Sequence, residues 1–223
     1  MPGADPAGRQ RLDHLVHAVP DLDEAISRLR GSTGVTAARG GSHPGMGTRN
    51  ALVVLRGGGV GRAYLELLAP DPEQEPVPPE ATMLGLGHLL EGGTFAPRLH
   101  AWAVRPDDLD RTLALGRDAG LEVGAPAPAS RRTQGGTELS WRLAVPRPLG
   151  LGGVQPFLID WGEAHPTDDD LPELDLLDLT LHHPEPARAR EVLALLGADH
   201  PVEAGPEPAL RAVVAGPDGR LVL

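Results

Sequence analysis

The chain has no cysteine. This excludes disulfide staples, zinc-thiolate centres and cysteine nucleophiles, and leaves any metal to nitrogen and oxygen donors. Lysine is also missing, and the basic residues are all arginine. A GC-rich coding sequence imposes such a bias, so it says nothing of function. Aromatic residues are scarce: three Trp, one Tyr and two Phe. No run approaches the roughly 18 apolar residues of a membrane span. The opening MPGADPAGRQRLDHLV lacks a basic stretch followed by an apolar one, so a cytoplasmic protein is expected. There is no G-x-S-x-G elbow for a serine nucleophile, and no distinctive carboxylate pair for glycoside chemistry.

What is present is a chain of 223 residues, 40% hydrophobic, long enough for one large domain or two small ones. Its formal charge is −11, with runs such as Asp168-Asp169-Asp170. A field of that sign repels phosphate backbones and anionic membranes, so neither nucleic acid nor a membrane is expected as a partner. It serves either as a solubility device or as an attraction for a cationic ligand.

An internal repeat decides the architecture. LDHLVHAV (12–19) is an apolar strand, and Pro20-Asp21 then opens DLDEAISRLR, with Leu22, Ala25, Ile26 and Leu29 in helical spacing. After about 85 residues the pattern returns, as LHAWAV (99–104) followed by RPDDLDRTLALGRDAG, a helix ending at Gly120. It returns again as LLDLTLHH (176–183) and PEPARAREVLALLG, with Pro186 suited to an early helical position and Gly197 to a cap. Short strand-like runs follow each helix: 51–55 and 63–68, then 138–145 and 156–161, then 210–215 and 220–223, the last two joined by Gly-Pro-Asp-Gly. The reading is an α+β fold of βαβββ modules: 10–70, a connector with a short helix at 71–95, a second module at 96–163, and a shorter, partial βαβ-type copy at 172–223.

LDHLVHAVPDLDEA, GGSHPGMGTRNALVVL, AYLELLAPD and QPFLIDWGEAHP together resemble the glyoxalase-like domain proteins of the vicinal-oxygen-chelate superfamily. The resemblance covers most of the chain and fixes the fold better than the reaction. It implies the glyoxalase, bleomycin-resistance and extradiol-dioxygenase fold, in which two modules enclose a cavity about a pseudo-two-fold axis. It further implies a divalent metal, such as Zn, Ni, Mn or Fe, held by a histidine on the first strand and a glutamate on the last strand of each module. His14 and Glu66 fall on those positions in the first module, and Glu66 is then the catalytic carboxylate.

Alternation along a strand puts His14, Val16 and Ala18 on one face and Asp13, Leu15 and His17 on the other. In the second module the register is open. Aligning Ala103-Val104 with Ala18-Val19 sets Leu99 opposite His14, whereas a one-residue shift brings His100 there. Asp160 is the carboxylate nearest to Glu66's equivalent. His14 and Glu66 could equally bind a ligand directly or hydrogen-bond within the barrel.

The stretch Gly40–Asn50 reads as a glycine-rich loop able to approach a ligand, with His43 and Asn50 as polar contacts, or as an ordinary turn. It carries no phosphate-binding pattern, so no nucleotide cofactor is expected. Arg131 and Arg132 could clamp a carboxylate, Arg132 contacting substrate, or be a solvated pair. Trp141 and Trp161 either line a pocket, Trp141 against substrate, or fill the core. His165, His182 and His183 read as exposed or capping residues. Three functions stay open: a metal-dependent lyase, isomerase or dioxygenase acting on a small oxygen-chelating molecule; a protein that binds a small molecule without turnover; and a fold used for assembly, with the C-terminal unit as the contact surface. Relatives of this kind dimerise through their modules, which keeps a homodimer open.

Overall fold

Strand β1 (Leu12–Ala18) is buried along its whole length, because both of its faces are covered by other parts of the chain. The chain leaves β1 at Asp21, whose carboxylate accepts the Glu24 amide and caps α1 (Leu22–Thr33). Gly34, at φ 79°, closes that helix with its amide on the Arg30 carbonyl. Strands β2 (Ala38–His43), β3 (Thr48–Arg56) and β4 (Ala63–Pro70) follow. β4 returns parallel to β1, with His14 opposite Tyr64, and the strands lie in the order β2, β3, β4, β1. The computed structural model describes residues 11–132, 138–162 and 164–223, without the side chains of 131, 132 and 138.

The connector holds two 3-10 turns, Pro79–Ala81 and Met83–Gly85, and the short helix α2 (Leu86–Leu90). The second module repeats the first: β5 (Arg98–Val104), α3 (Leu109–Asp118), β6 (Ala127–Arg132), β7 (Glu138–Ala144) and β8 (Phe157–Asp160). Asp108 caps α3 as Asp21 caps α1. β8 lies parallel to β5, and antiparallel pairing of β1 with β5 joins the modules.

The C-terminal unit comprises β9 (Glu173–His183), α4 (Pro186–Leu195), β10 (Val202–Ala204), β11 (Ala209–Gly216) and β12 (Gly219–Val222). Its wiring differs from that of the modules. The strand directly after the helix, β10, lies parallel to β9, while β11 runs antiparallel on the other edge of β9 and pairs with β12. The position where a module would seat its last strand is already taken, because β9 pairs with β3 through 173–175 and with β10 through 181–183. The twelve strands of the described residues thereby form one mixed sheet.

The sheet separates two apolar clusters. On one side Leu12, Leu15, Leu65 and Trp102 pack with the helices and with Leu174, Leu181 and Val214 of the C-terminal unit. On the other side Val16, Ala18, Leu52, Tyr64, Ala103, Phe157, Ile159 and Trp161 meet Leu84 and Leu86 of the connector. The candidate site lies within this second cluster.

Candidate functional site

The stretch 40–50 is a hairpin rather than a loop. Gly41 pairs with Asn50 and His43 with Thr48, so the main chain satisfies its own polar groups and only 44–47 turn. This places His43 and Asn50 on strands facing Glu66 of β4 and His14 of β1. The four side chains line one cavity of about 40 Å³, with Tyr64, Phe157, Trp141 and Trp161 among its walls.

Hydrogen bonding fixes the proton positions. Asn50 donates one N–H to Glu66 Oε1 at 2.6 Å and meets His43 Nε2 at 3.3 Å. His43 Nδ1 in turn lies 2.8 Å from the Thr48 hydroxyl, so the His43 proton sits on Nδ1 and Nε2 accepts. His14 Nδ1 lies 2.7 Å from Asp13 Oδ1. Burial alone would raise the Asp13 pKa, but hydrogen bonds from His14 and His165 outweigh it and hold the carboxyl well below the usual carboxylate range. An ionised Asp13 therefore accepts the Nδ1 proton of His14. The Nε2 lone pair of His14 is left aimed at Glu66 Oε2, 3.9 Å away. Tyr64 stacks on the His14 ring at 4.6 Å and Phe157 meets its edge at 5.2 Å, which locks its orientation.

Asp13 is the residue that sequence reasoning missed. Strict alternation sets it on the face opposite His14, but the register of β1 against β5 shifts between Leu12 and His14. A bulge of that kind re-aims one side chain, and Asp13 turns toward His14. Trp161 Nε1 donates to Asp13 Oδ1 at 3.1 Å, and His165 Nε2 lies 3.1 Å from Oδ2. His165 is 2% exposed. It does cap the turn Pro166–Asp168, yet it also reaches the core. The Thr167 amide donates to His165 Nδ1, so neutral His165 carries its proton on Nε2, toward Asp13. Burial lowers the His165 pKa despite the opposing pull of Asp13.

Two further sequence candidates, His100 and Asp160, are not brought to this cavity. His100 bonds the Leu84 carbonyl through Nε2 at 2.9 Å and faces a neighbouring groove; burial lowers its pKa. Asp160 pairs with Arg142 at 3.1 Å. In parallel register, Ala103 stands opposite Phe157 as His14 stands opposite Tyr64. Two residues further along each last strand come Ile159 and Glu66, so the second module offers Ala103 and Ile159 where the first offers His14 and Glu66. Trp141 and Trp161 both line the cavity, 4.7 Å apart. The side chains of Arg131 and Arg132 lie outside the described residues. His183 accepts the Glu185 amide through Nδ1, a turn-capping role.

Donor chemistry tests whether a divalent metal fits. His14 Nε2 and Glu66 Oε2 are available, but His43 Nε2 and Glu66 Oε1 face the Asn50 amide. Two free donors fall short of the three or more protein ligands a resident catalytic metal takes. Among the described residues no group of three His, Asp or Glu is disposed to hold a metal ion.

The glyoxalase-like domain family profile matches residues 12–197. The chain belongs to that family. A hypothetical protein from Staphylococcus aureus superposes with a TM-score of 0.66 at 15% identity, over 89% of this chain and 87% of that one, which shows the fold. Methylmalonyl-CoA epimerase from Streptomyces coelicolor superposes at 0.45 with 24% identity, over 67% of this chain and 96% of that one. The enzyme of that name from Mycobacterium tuberculosis gives 0.43 at 22%, over 71% and 91%. No curated protein matches the sequence. Among the described residues no helix of this family member is long and apolar enough to cross a membrane.

Proposed function

We propose that this glyoxalase-like protein binds a small oxygen-bearing molecule between its modules and moves a proton on it, as a lyase or isomerase does, with His14 as the base. The observation that carries this reading is the His14 Nε2 lone pair facing Glu66 Oε2 across 3.9 Å. Two acceptors at that separation, with no proton between them, form a seat for an acidic C–H or O–H of a ligand. Asp13 holds the imidazole in the tautomer that points the lone pair at the cavity, and Glu66, held by Asn50, takes or returns the proton on the other side. The apolar walls Phe157, Ile159 and Trp161 exclude water and strengthen the charges that develop.

A metal-assisted version would place the ion on His14 and Glu66, where it would polarise a ligand oxygen; the donor count speaks against a resident ion. A second reading, binding without turnover, draws support from the second module, which among the described residues contributes walls to the cavity but no acid or base. The test that separates them is wash-in of deuterium from D2O into a panel of small α-hydroxy and α-keto acids and thioesters, followed by NMR and paired with metal analysis. Exchange that falls at least about 100-fold in His14→Gln and in Glu66→Gln, without metal, supports proton transfer. Binding of panel members without exchange in the parent protein supports sequestration. Stoichiometric metal that disappears with His14→Gln would overturn the metal-free account.

A further inference from the structure

His17 is a buried imidazole for which the inter-module site has no use. It follows Val16 on β1 and so faces the helix side of the sheet, only 9% exposed. Its Nδ1 is sealed from solvent and has no hydrogen-bond partner among the described residues. Burial, and then the charge of Arg28, push its pKa down to about 4, so the ring is neutral near pH 7. Neighbouring positions on the same side, Leu15 and Val19, carry plain aliphatic residues. A partnerless imidazole among them costs about 1–3 kcal/mol, which a core filler would not.

Beside the ring lies a second cavity of about 190 Å³, bounded by β1, β4, α1 and β12 and open to solvent at its rim. Val19, Leu29 and Leu67 form its floor with His17, Leu221 forms a wall, and Asp21, Glu24 and Arg28 form the rim. A leucine-lined cavity of roughly 150 Å³ stays dry and accepts benzene, so this volume suits a single six-membered ring. A carboxylate ligand would lose its hydration and meet Asp21 and Glu24, and a cation would meet Arg28; a neutral ligand avoids both costs. With Nδ1 sealed, Nε2 is the nitrogen left for the cavity. A hydroxyl can donate or accept, so it satisfies Nε2 in either tautomer.

We propose that the cavity between α1 and the C-terminal unit is a second ligand site, which takes a small neutral ring bearing one hydroxyl. The ring packs on Leu29, Leu67 and Leu221, and the hydroxyl bonds His17. The site is separate from the His14 and Glu66 cavity and does not depend on what that cavity does.

The test titrates the full chain with phenol, toluene and benzoate, using amide NMR shifts and melting temperature as readouts. Phenol is expected to perturb amides of α1 and β12 and to bind more tightly than toluene, with benzoate the weakest. His17→Leu, which removes an unpaired polar group and is expected to fold, weakens phenol about tenfold and leaves toluene unchanged. Ala25→Phe, at the half-buried mouth, abolishes both, while Glu66→Gln in the other cavity changes neither. The proposal is overturned if phenol fails to bind the folded parent protein, if its affinity is indifferent to both His17→Leu and Ala25→Phe, or if Glu66→Gln removes it.

Discussion

Asp13 gathers four donors on two carboxylate oxygens: His14 and Trp161 on Oδ1, His165 and Arg105 on Oδ2. Its substitution by Asn keeps the volume but offers an N–H where an acceptor is required, so His14 turns to the wrong tautomer. Asp13→Asn is expected to lower deuterium exchange by about 10²–10⁴-fold with little change in KM, which a stopped-assay comparison of kcat and KM would check. A merely structural role would lower stability without that split.

Buried groups also set the acid response, His17 and Asp13 foremost. His17 titrates at about 4 in the fold against roughly 6.5 in an unfolded chain, so protonation favours unfolding. Stability is full above pH 6.5 and falls as pH drops toward 4, by about 3 kcal/mol. Asp13, held below the usual carboxylate range, adds a further loss as pH falls below roughly 4. Urea melts between pH 7 and 3 should show both stages, and His17→Leu should reduce the upper one without touching the lower, leaving the part that His100 and His165 contribute.

At the scale of elements, the helices were legible because their signals are local: α1 opens at Asp21, Pro186 stands at the start of α4, and Gly120 and Gly197 take positive φ after the helical residues. Strands β2 and β6 were not legible, since ARGGSH and APASRR carry neither alternation nor an apolar core face. Only pairing with β3 and β7 makes them strands. The hairpin also explains a small residue. A Cβ at Gly40 would lie 2.2 Å from Asn50 Oδ1, so the amide can hold Glu66 only if that position stays bare. Gly40→Ala is expected to cost about 1–3 kcal/mol and to shift the NMR signals of His14 and His43. In the double variant with Asn50→Ala the Gly40 penalty should shrink below about 1 kcal/mol; an undiminished penalty would mean that the clash lies elsewhere.

For the whole molecule, the cluster on the helix side of the sheet runs through all three units, from Leu12 and Leu109 to Leu174, Val192 and Val214. β9 also covers the free edge of β3 from Val54 to Arg56. Removing residues 169–223 would bare both an apolar face and a strand edge. The full chain is therefore expected to unfold in one transition by circular dichroism and calorimetry, and the truncated chain to bind a hydrophobic dye or precipitate. A truncated chain that stays monomeric with an unchanged melting temperature would show the C-terminal unit to be independent.

Local and periodic information sufficed for the repeated strand-then-helix starts, because that pattern is written in neighbouring residues; the pair His14 and Glu66 came from the resemblance. The resemblance supplied the expectation of a cavity between modules. Tertiary structure alone decided the rest. A bulge in β1 turned Asp13 onto the face of His14, strand register put Ala103 and Ile159 where a second pair of ligands would stand, and the buried turn after Trp161 carried His165 inward to Asp13. Register and bulges depend on pairing between segments about 90 residues apart, and no short window of sequence contains that pairing.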